Sequence, residues 1–192
     1  MRSEGLGCQR FFPSLTVRIR FFCLVILLPV GILTACRSPS RTRDSDLVQV
    51  EVRGVSFDPT VNSPVIVLQD QDRTRAIPIW VGMLEAQAIH LQLEGRSVPR
   101  PMTHDLLKNI LEKVGVGLEK VVVTELKDNT YYAFIYLANG TKTLQVDSRP
   151  SDAIALALRF RRPIFVEKGL FDVAVPGKTP AKLAPVNFIA EE

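Results

Sequence analysis

The chain carries none of the familiar short signatures of catalysis: no P-loop, no G-x-G-x-x-G, no H-E-x-x-H, no G-x-S-x-G and no cysteine pair spaced for zinc. Those absences exclude the phosphate cradles, zinc centres and nucleophile elbows that such motifs build. Cysteine is scarce: of three, Cys8 and Cys23 lie in the first 35 residues. Removal of that stretch leaves Cys36 alone, which excludes an intramolecular disulfide. Excess positive charge is scarce as well. The formal +4 includes four arginines and one glutamate ahead of Cys36, so the remainder holds 20 basic and 19 acidic side chains. Bulk charge therefore gives no argument for nucleic-acid binding, and the lysines form no basic stripe. There is no internal repeat. The uncharged run at residues 21–33 is shorter than the ~20 residues of a membrane-spanning helix, and Pro29 and Gly31 weaken it further.

What that run does have is context. Arg10, Arg18 and Arg20 precede it and Thr34, Ala35 and Cys36 follow, the three-part layout of a secretory leader. Leu33, Thr34, Ala35 and Cys36 resemble the lipobox of bacterial lipoproteins. The resemblance implies cleavage before Cys36, lipidation of its thiol, and an exported, extracytoplasmic chain anchored to a membrane, each buried methylene adding about 0.8 kcal/mol. The competing reading is a buried core helix that contains Cys36. On the first reading residues 1–35 are a signal peptide. Residues 36–46, rich in Ser, Arg, Thr and Asp after the cysteine, are then a flexible tether.

The fold begins at residue 47. Val48, Val50 and Val52 alternate with Gln49, Glu51 and Arg53, the period of a half-buried strand running toward Phe57. Residues 64–68 and 75–81 read as a hairpin. Leu84, Ala88 and Leu91 recur at helical spacing, predicting a helix over 83–94 that stops at Gly95. A second helix follows the connector Pro99-Arg100-Pro101, with Thr103 as N-cap and Leu106, Leu107, Ile110, Leu111 and Val114 as its buried stripe. Strands are expected at 118–126, 131–137 and 141–146, with turns at Asp128-Asn129 and Asn139-Gly140. A third helix spans 151–160, and 163–166 is a short apolar strand. The expectation is one α+β domain over residues 47–171, a mainly antiparallel curved sheet with three helices, followed by an extended tail at 172–192.

Polar residues collect at the helix starts, where free backbone N–H groups and the dipole favour anions. They fall in residues 80–85, 99–105 and 147–152. The ordered blocks Ile77-Pro78-Ile79-Trp80-Val81-Gly82 with Glu85, Pro99-Arg100-Pro101 with Thr103-His104-Asp105, Tyr131-Tyr132-Ala133, and Val146-Asp147-Ser148-Arg149-Pro150-Ser151-Asp152-Ala153 resemble the bifunctional nuclease family. The similarity runs from residue 48 to about 171. Two features depart from it: Ser148 stands where Ala is common, and a lipoprotein leader is unusual for a family of soluble intracellular proteins.

The resemblance implies hydrolysis of phosphodiester bonds in DNA or RNA. On that implication His104, Asp105, Asp152 and Glu85 are the catalytic candidates, with His104 as proton carrier. Arg100, Arg149 and Ser151 would bind substrate. Asp105, Asp147 and Asp152 offer the hard oxygens that a divalent metal, Mg²⁺ or Mn²⁺, prefers. The structural readings stand beside these: Asp105 and Asp152 as helix-start charges worth about 0.3–1 kcal/mol each, Arg149 as a turn ion pair, and Trp80 as a core or interface anchor. The expected partners are nucleic acid, a membrane through Cys36, and further copies of the chain in a homo-oligomer held by strand edges or apolar patches. The rival function is a non-catalytic, lipid-anchored binding or scaffold domain, whose polar segments are caps and an anion-binding nest.

Overall fold

The computed structural model describes residues 44–173 and the backbone of 184–185. The expected leader, Cys36 with its expected lipid, most of the expected tether and most of the expected tail lie outside the described residues. Among the described residues no helix is long and apolar enough to cross a membrane.

A single 3-10 turn at Asp44–Asp46 leads into β1 (Leu47–Asp58), β2 (Ser63–Asp70) and β3 (Ala76–Trp80), an antiparallel meander. The alternation of valines in β1 holds as far as a bulge between Val52 and Gly54, where the register against β2 shifts. Two helices follow, α1 (Met83–Leu93) and α2 (Thr103–Lys113). Then comes a second meander of β4 (Gly117–Lys127), β5 (Thr130–Asn139) and β6 (Lys142–Ser148). Asp128 and Asn129 both take positive φ, the requirement of the tight two-residue turn between β4 and β5. After α3 (Pro150–Phe160), β7 (Ile164–Glu167) enters between the meanders. It runs antiparallel to β1 and parallel to β4. The strand order is β3-β2-β1-β7-β4-β5-β6, and a two-residue β8 (Ala184–Pro185) pairs with β1.

This is the expected α+β architecture with two differences. The parallel β4–β7 pair makes the mainly antiparallel sheet a mixed one, because the short strand after α3 returns in the direction of β4. Among the described residues there are also four helices rather than three: α4 (Gly169–Val173) forms where the tail was expected to begin, burying Leu170 in the core.

Ile66 and Leu68 of β2, Val121 and Val123 of β4, Ile89 of α1 and Ile154 and Leu156 of α3 form the centre of that core. Helix α3 is apolar almost all round, as a helix enclosed by other elements must be, and it packs against α1, α2, β4 and β5. Helix α2 corrects the sequence reading. Its expected buried stripe faces outward, with Leu106, Ile110 and Val114 54%, 48% and 64% exposed and Leu107 exposed beside them. At 3.6 residues per turn, His104, Asp105 and Lys108 share the opposite face, and polar contacts from His104 and Asp105 hold α2 to α3. Thr103 is the first helical residue, and the N-cap is Met102.

Candidate functional site

The three long-range helices begin alike. Gly82, Met102 and Arg149 are the N-caps of α1, α2 and α3, and none supplies a side-chain cap. A carboxylate at the third helical position does the neutralising in each: Glu85, Asp105 and Asp152. Packing of α1 and α2 on α3 then decides where these carboxylates point.

Glu85 and Asp152 meet on one guanidinium. Arg149 donates from Nε to Asp152 Oδ2 at 2.7 Å and from Nη2 to Asp152 Oδ1 at 3.1 Å, and Nη2 also lies 2.8 Å from Glu85 Oε1. His104 Nε2 sits 3.2 Å from Asp152 Oδ1. The His104 ring is buried, Glu85 and Asp152 are half-buried, and the Arg149 side chain is 66% exposed, so the cluster presents its cation to solvent. Burial pushes the Asp152 carboxyl up, but the hydrogen bonds and charges of Arg149 and His104 outweigh it and hold the group below the usual carboxylate range. Arg149 is pushed above its ordinary value, chiefly by its bond to Asp152. Gly82 completes the arrangement, since a Cβ there would overlap Glu85 Oε2.

Asp105 belongs to a different contact. Its Oδ2 accepts the Met102 N–H at 2.9 Å, and its Oδ1 accepts from Arg159 Nε at 2.5 Å. Arg159 is buried and donates from Nη1 to the carbonyl of Ala155 and from Nη2 to that of Ala88, so it ties α1, α2 and α3 together. Burial raises the Asp105 carboxyl less than Arg159 and the Met102 N–H lower it, and the net direction is down. Arg159 escaped the sequence reading, although a charge inside the apolar run 153–160 is a signal of a buried partner.

Of the expected site residues, His104, Asp152, Glu85 and Arg149 are therefore brought together. Asp105 lies next to them in the chain but on another partner. Arg100 is exposed in the connector and makes no ion pair or side-chain hydrogen bond with the cluster among the described residues. Asp147 is exposed on β6, and Ser151 is buried at the second position of α3. The trio expected for a metal is thus not gathered. Among the described residues no group of three or more His, Cys, Asp or Glu side chains is placed to hold a metal ion. The oxygens of Asp105 and Asp152 already accept hydrogen bonds from Arg159, Met102, Arg149 and His104, so this donor set does not fit a resident divalent cation.

Beside the Asp105–Arg159 pair lie two adjoining hollows of about 480 and 610 Å³. Their walls come from the end of α1, the connector 95–102, α2 and the C-terminal end of α3.

Residues 66–176 match the family described as Bifunctional nuclease domain. An uncharacterized protein of Mycobacterium tuberculosis (strain H37Rv) is 37% identical over 122 residues, 64% of this chain and 73% of that protein. Bifunctional nuclease 1 of Oryza sativa subsp. japonica is 33% identical over 107 residues, 54% of this chain and 32% of the rice protein. Bifunctional nuclease 1 of Arabidopsis thaliana is 32% identical over 111 residues, 56% of this chain and 34% of the plant protein. The chain thus spans about a third of the length of these plant relatives.

Proposed function

Because the chain belongs to the bifunctional nuclease domain family, we propose that it hydrolyses phosphodiester bonds of DNA or RNA at the cluster of His104, Asp152, Arg149 and Glu85. The observation that carries the reading is the meeting of these four side chains from three separate segments. Arg149 uses Nε and Nη2 on the two carboxylates, and of its five N–H donors the pair on Nη1 is engaged by neither. That pair faces a phosphate's non-bridging oxygens and stabilises the charge that grows there. With Nε2–H donated to Asp152, the His104 lone pair is on Nδ1. That atom takes the proton of a water as its oxygen attacks phosphorus, the ester P–O bond breaks, and the leaving oxygen takes a proton from solvent water. Asp152 then stabilises the imidazolium, and Glu85 keeps Arg149 in place. No step is routed through a metal.

The test is hydrolysis of labelled single- and double-stranded DNA and RNA by the purified full chain, with Mg²⁺, Mn²⁺ or chelator. Arg149→Ala and His104→Gln are each expected to lower the rate at least about 10²-fold. Wild-type rates in both, with folding intact by circular dichroism, overturn the assignment.

One observation favours the rival scaffold reading: every carboxylate in the cluster already has a cationic or imidazole partner, as in a network that only joins helices. A wild type inactive on all four substrates supports that reading. The proposal also keeps export and a lipid on Cys36, resting on residues 33–36, and labelled fatty acid that still enters a Cys36→Ser protein removes it. Self-association stays in the proposal because Leu106, Ile110 and Val114 are exposed. A monomer in sedimentation removes it.

A further inference from the structure

The two hollows beside Asp105 and Arg159 share Gln92, Asp105, Asn109, Arg159 and Arg161, so they form one cleft. Its charges are unequally engaged. Arg159 is buried and satisfied by Asp105 and two carbonyls, and Lys108 pairs with Glu112 while lying over the Phe160 ring. Arg96 and Arg161 also line the cleft, and their guanidinium groups have no hydrogen bond or ion pair among the described residues. The two acidic residues of the cleft, Asp105 and Glu112, are thus matched within it, and two exposed cations are left over.

Arg161 is costly where it stands. It is the C-cap of α3 with φ of 53°, in the left-handed region. Past the ends of α1 and α2 the corresponding positive-φ residues are Gly95 and Gly115, the residue type that takes this conformation without penalty. An arginine kept where glycine fits better, beside a second unengaged arginine and the amides of Gln92 and Asn109, suits a ligand with phosphate and base edges. The cleft is too small for a duplex but has the volume of a nucleotide-sized site. Asp152 and Arg159, seven residues apart on α3, are about 10 Å apart along the helix axis, so the cleft lies within oligonucleotide reach of Arg149.

We propose that this cleft holds the single-stranded segment flanking the reacting phosphodiester, with Arg96 and Arg161 on its phosphates and Gln92 and Asn109 on base edges. The inference rests on the nuclease reading and names the class of substrate at that site, a single strand.

The experiment measures binding of a fluorescent phosphorothioate 12-mer to the full chain by anisotropy across a salt series, with a blunt duplex and a mononucleotide as separate arms. Arg96→Gln/Arg161→Gly is expected to weaken single-strand binding at least tenfold. The slope of log K against log salt should become shallower by about 1.4, two contacts on a single strand. Arg161→Gly alone should melt at or above the wild-type temperature, so lost binding is not lost folding. Unchanged affinity and slope in the double variant, while the wild type still cleaves, overturns the cleft and leaves the nuclease reading standing. A mononucleotide that binds as tightly as the 12-mer, or a duplex that binds equally well, also overturns it. A wild type that neither binds nor cleaves any nucleic acid overturns both.

Discussion

His104 and Asp105 are neighbours in the chain, yet they grip opposite ends of one helix. His104 Nε2 lies 3.2 Å from Asp152 in the first turn of α3, and Asp105 Oδ1 lies 2.5 Å from Arg159 in its last. Consecutive residues of α2 are turned about 100° apart, which lets one turn of α2 serve both ends. The two contacts differ in burial, and so in what their loss should do.

Asp105→Ala strips the counter-charge from Arg159, whose side chain is 4% exposed. An uncompensated buried cation costs about 3–5 kcal/mol, and urea denaturation of the variant should show a loss of that order. Arg159→Met in the Asp105→Leu background should recover much of it, since apolar replacement of a buried pair is often neutral. A loss below about 1 kcal/mol in Asp105→Ala would show that Arg159 finds another partner.

Gly82→Ala separates site geometry from folding. The added methyl displaces the Glu85 carboxylate, a movable side-chain tip, so stability should change by less than about 1 kcal/mol. Hydrolysis should fall, because Arg149 loses one of its two anchors. Thermal melts and rates on the same preparation check both halves.

The turn after β2 carries the clearest pH dependence. Backbone N–H donation from Arg75, helped by Thr74 and the Arg75 side chain and opposed by burial, lowers the Asp70 carboxyl from 3.8 to about 2. A depressed carboxylate stabilises the fold above its unfolded pKa, and that contribution disappears as pH falls from about 4 to about 2. Wild type should therefore exceed Asp70→Asn in melting temperature at pH 6. The gap should shrink through this window and close near pH 2.

The outward stripe of α2 gives a contrast. Ile110→Lys, at a position 48% exposed, should stay within about 0.5 kcal/mol of wild type. Ile154→Ala, fully buried in α3, should cost about 2–5 kcal/mol. Equal losses in chemical denaturation would mean that α2 is buried on that side.

The valine alternation of β1, the Asp128-Asn129 turn and the proline at the start of α3 were legible because each is a local rule. That carboxylates collect at the helix starts was legible for the same reason, and the family resemblance singled out Glu85, Arg149 and Asp152 among the polar residues there. The face of α2 was not. Periodicity shows that a helix has an apolar side, but whether that side turns inward depends on what it meets, and here the polar grips of His104 and Asp105 decide. Arg159 was hidden by its alanine-rich neighbours, and Arg96 and Arg161 by their distance in sequence. Parallel pairing of β7 with β4 needs the path of α3, which no window of residues contains.

The placement of β7 between β1 and β4 sets an order on the chain's synthesis. The first meander leaves the ribosome long before its inner neighbour exists, and the second cannot join it until residue 167 has emerged. A product truncated after Phe160 would carry two half-sheets with open inner edges, the kind of surface that recruits other chains. Chain-terminating lesions ahead of that strand should thus give insoluble protein rather than a weakened enzyme.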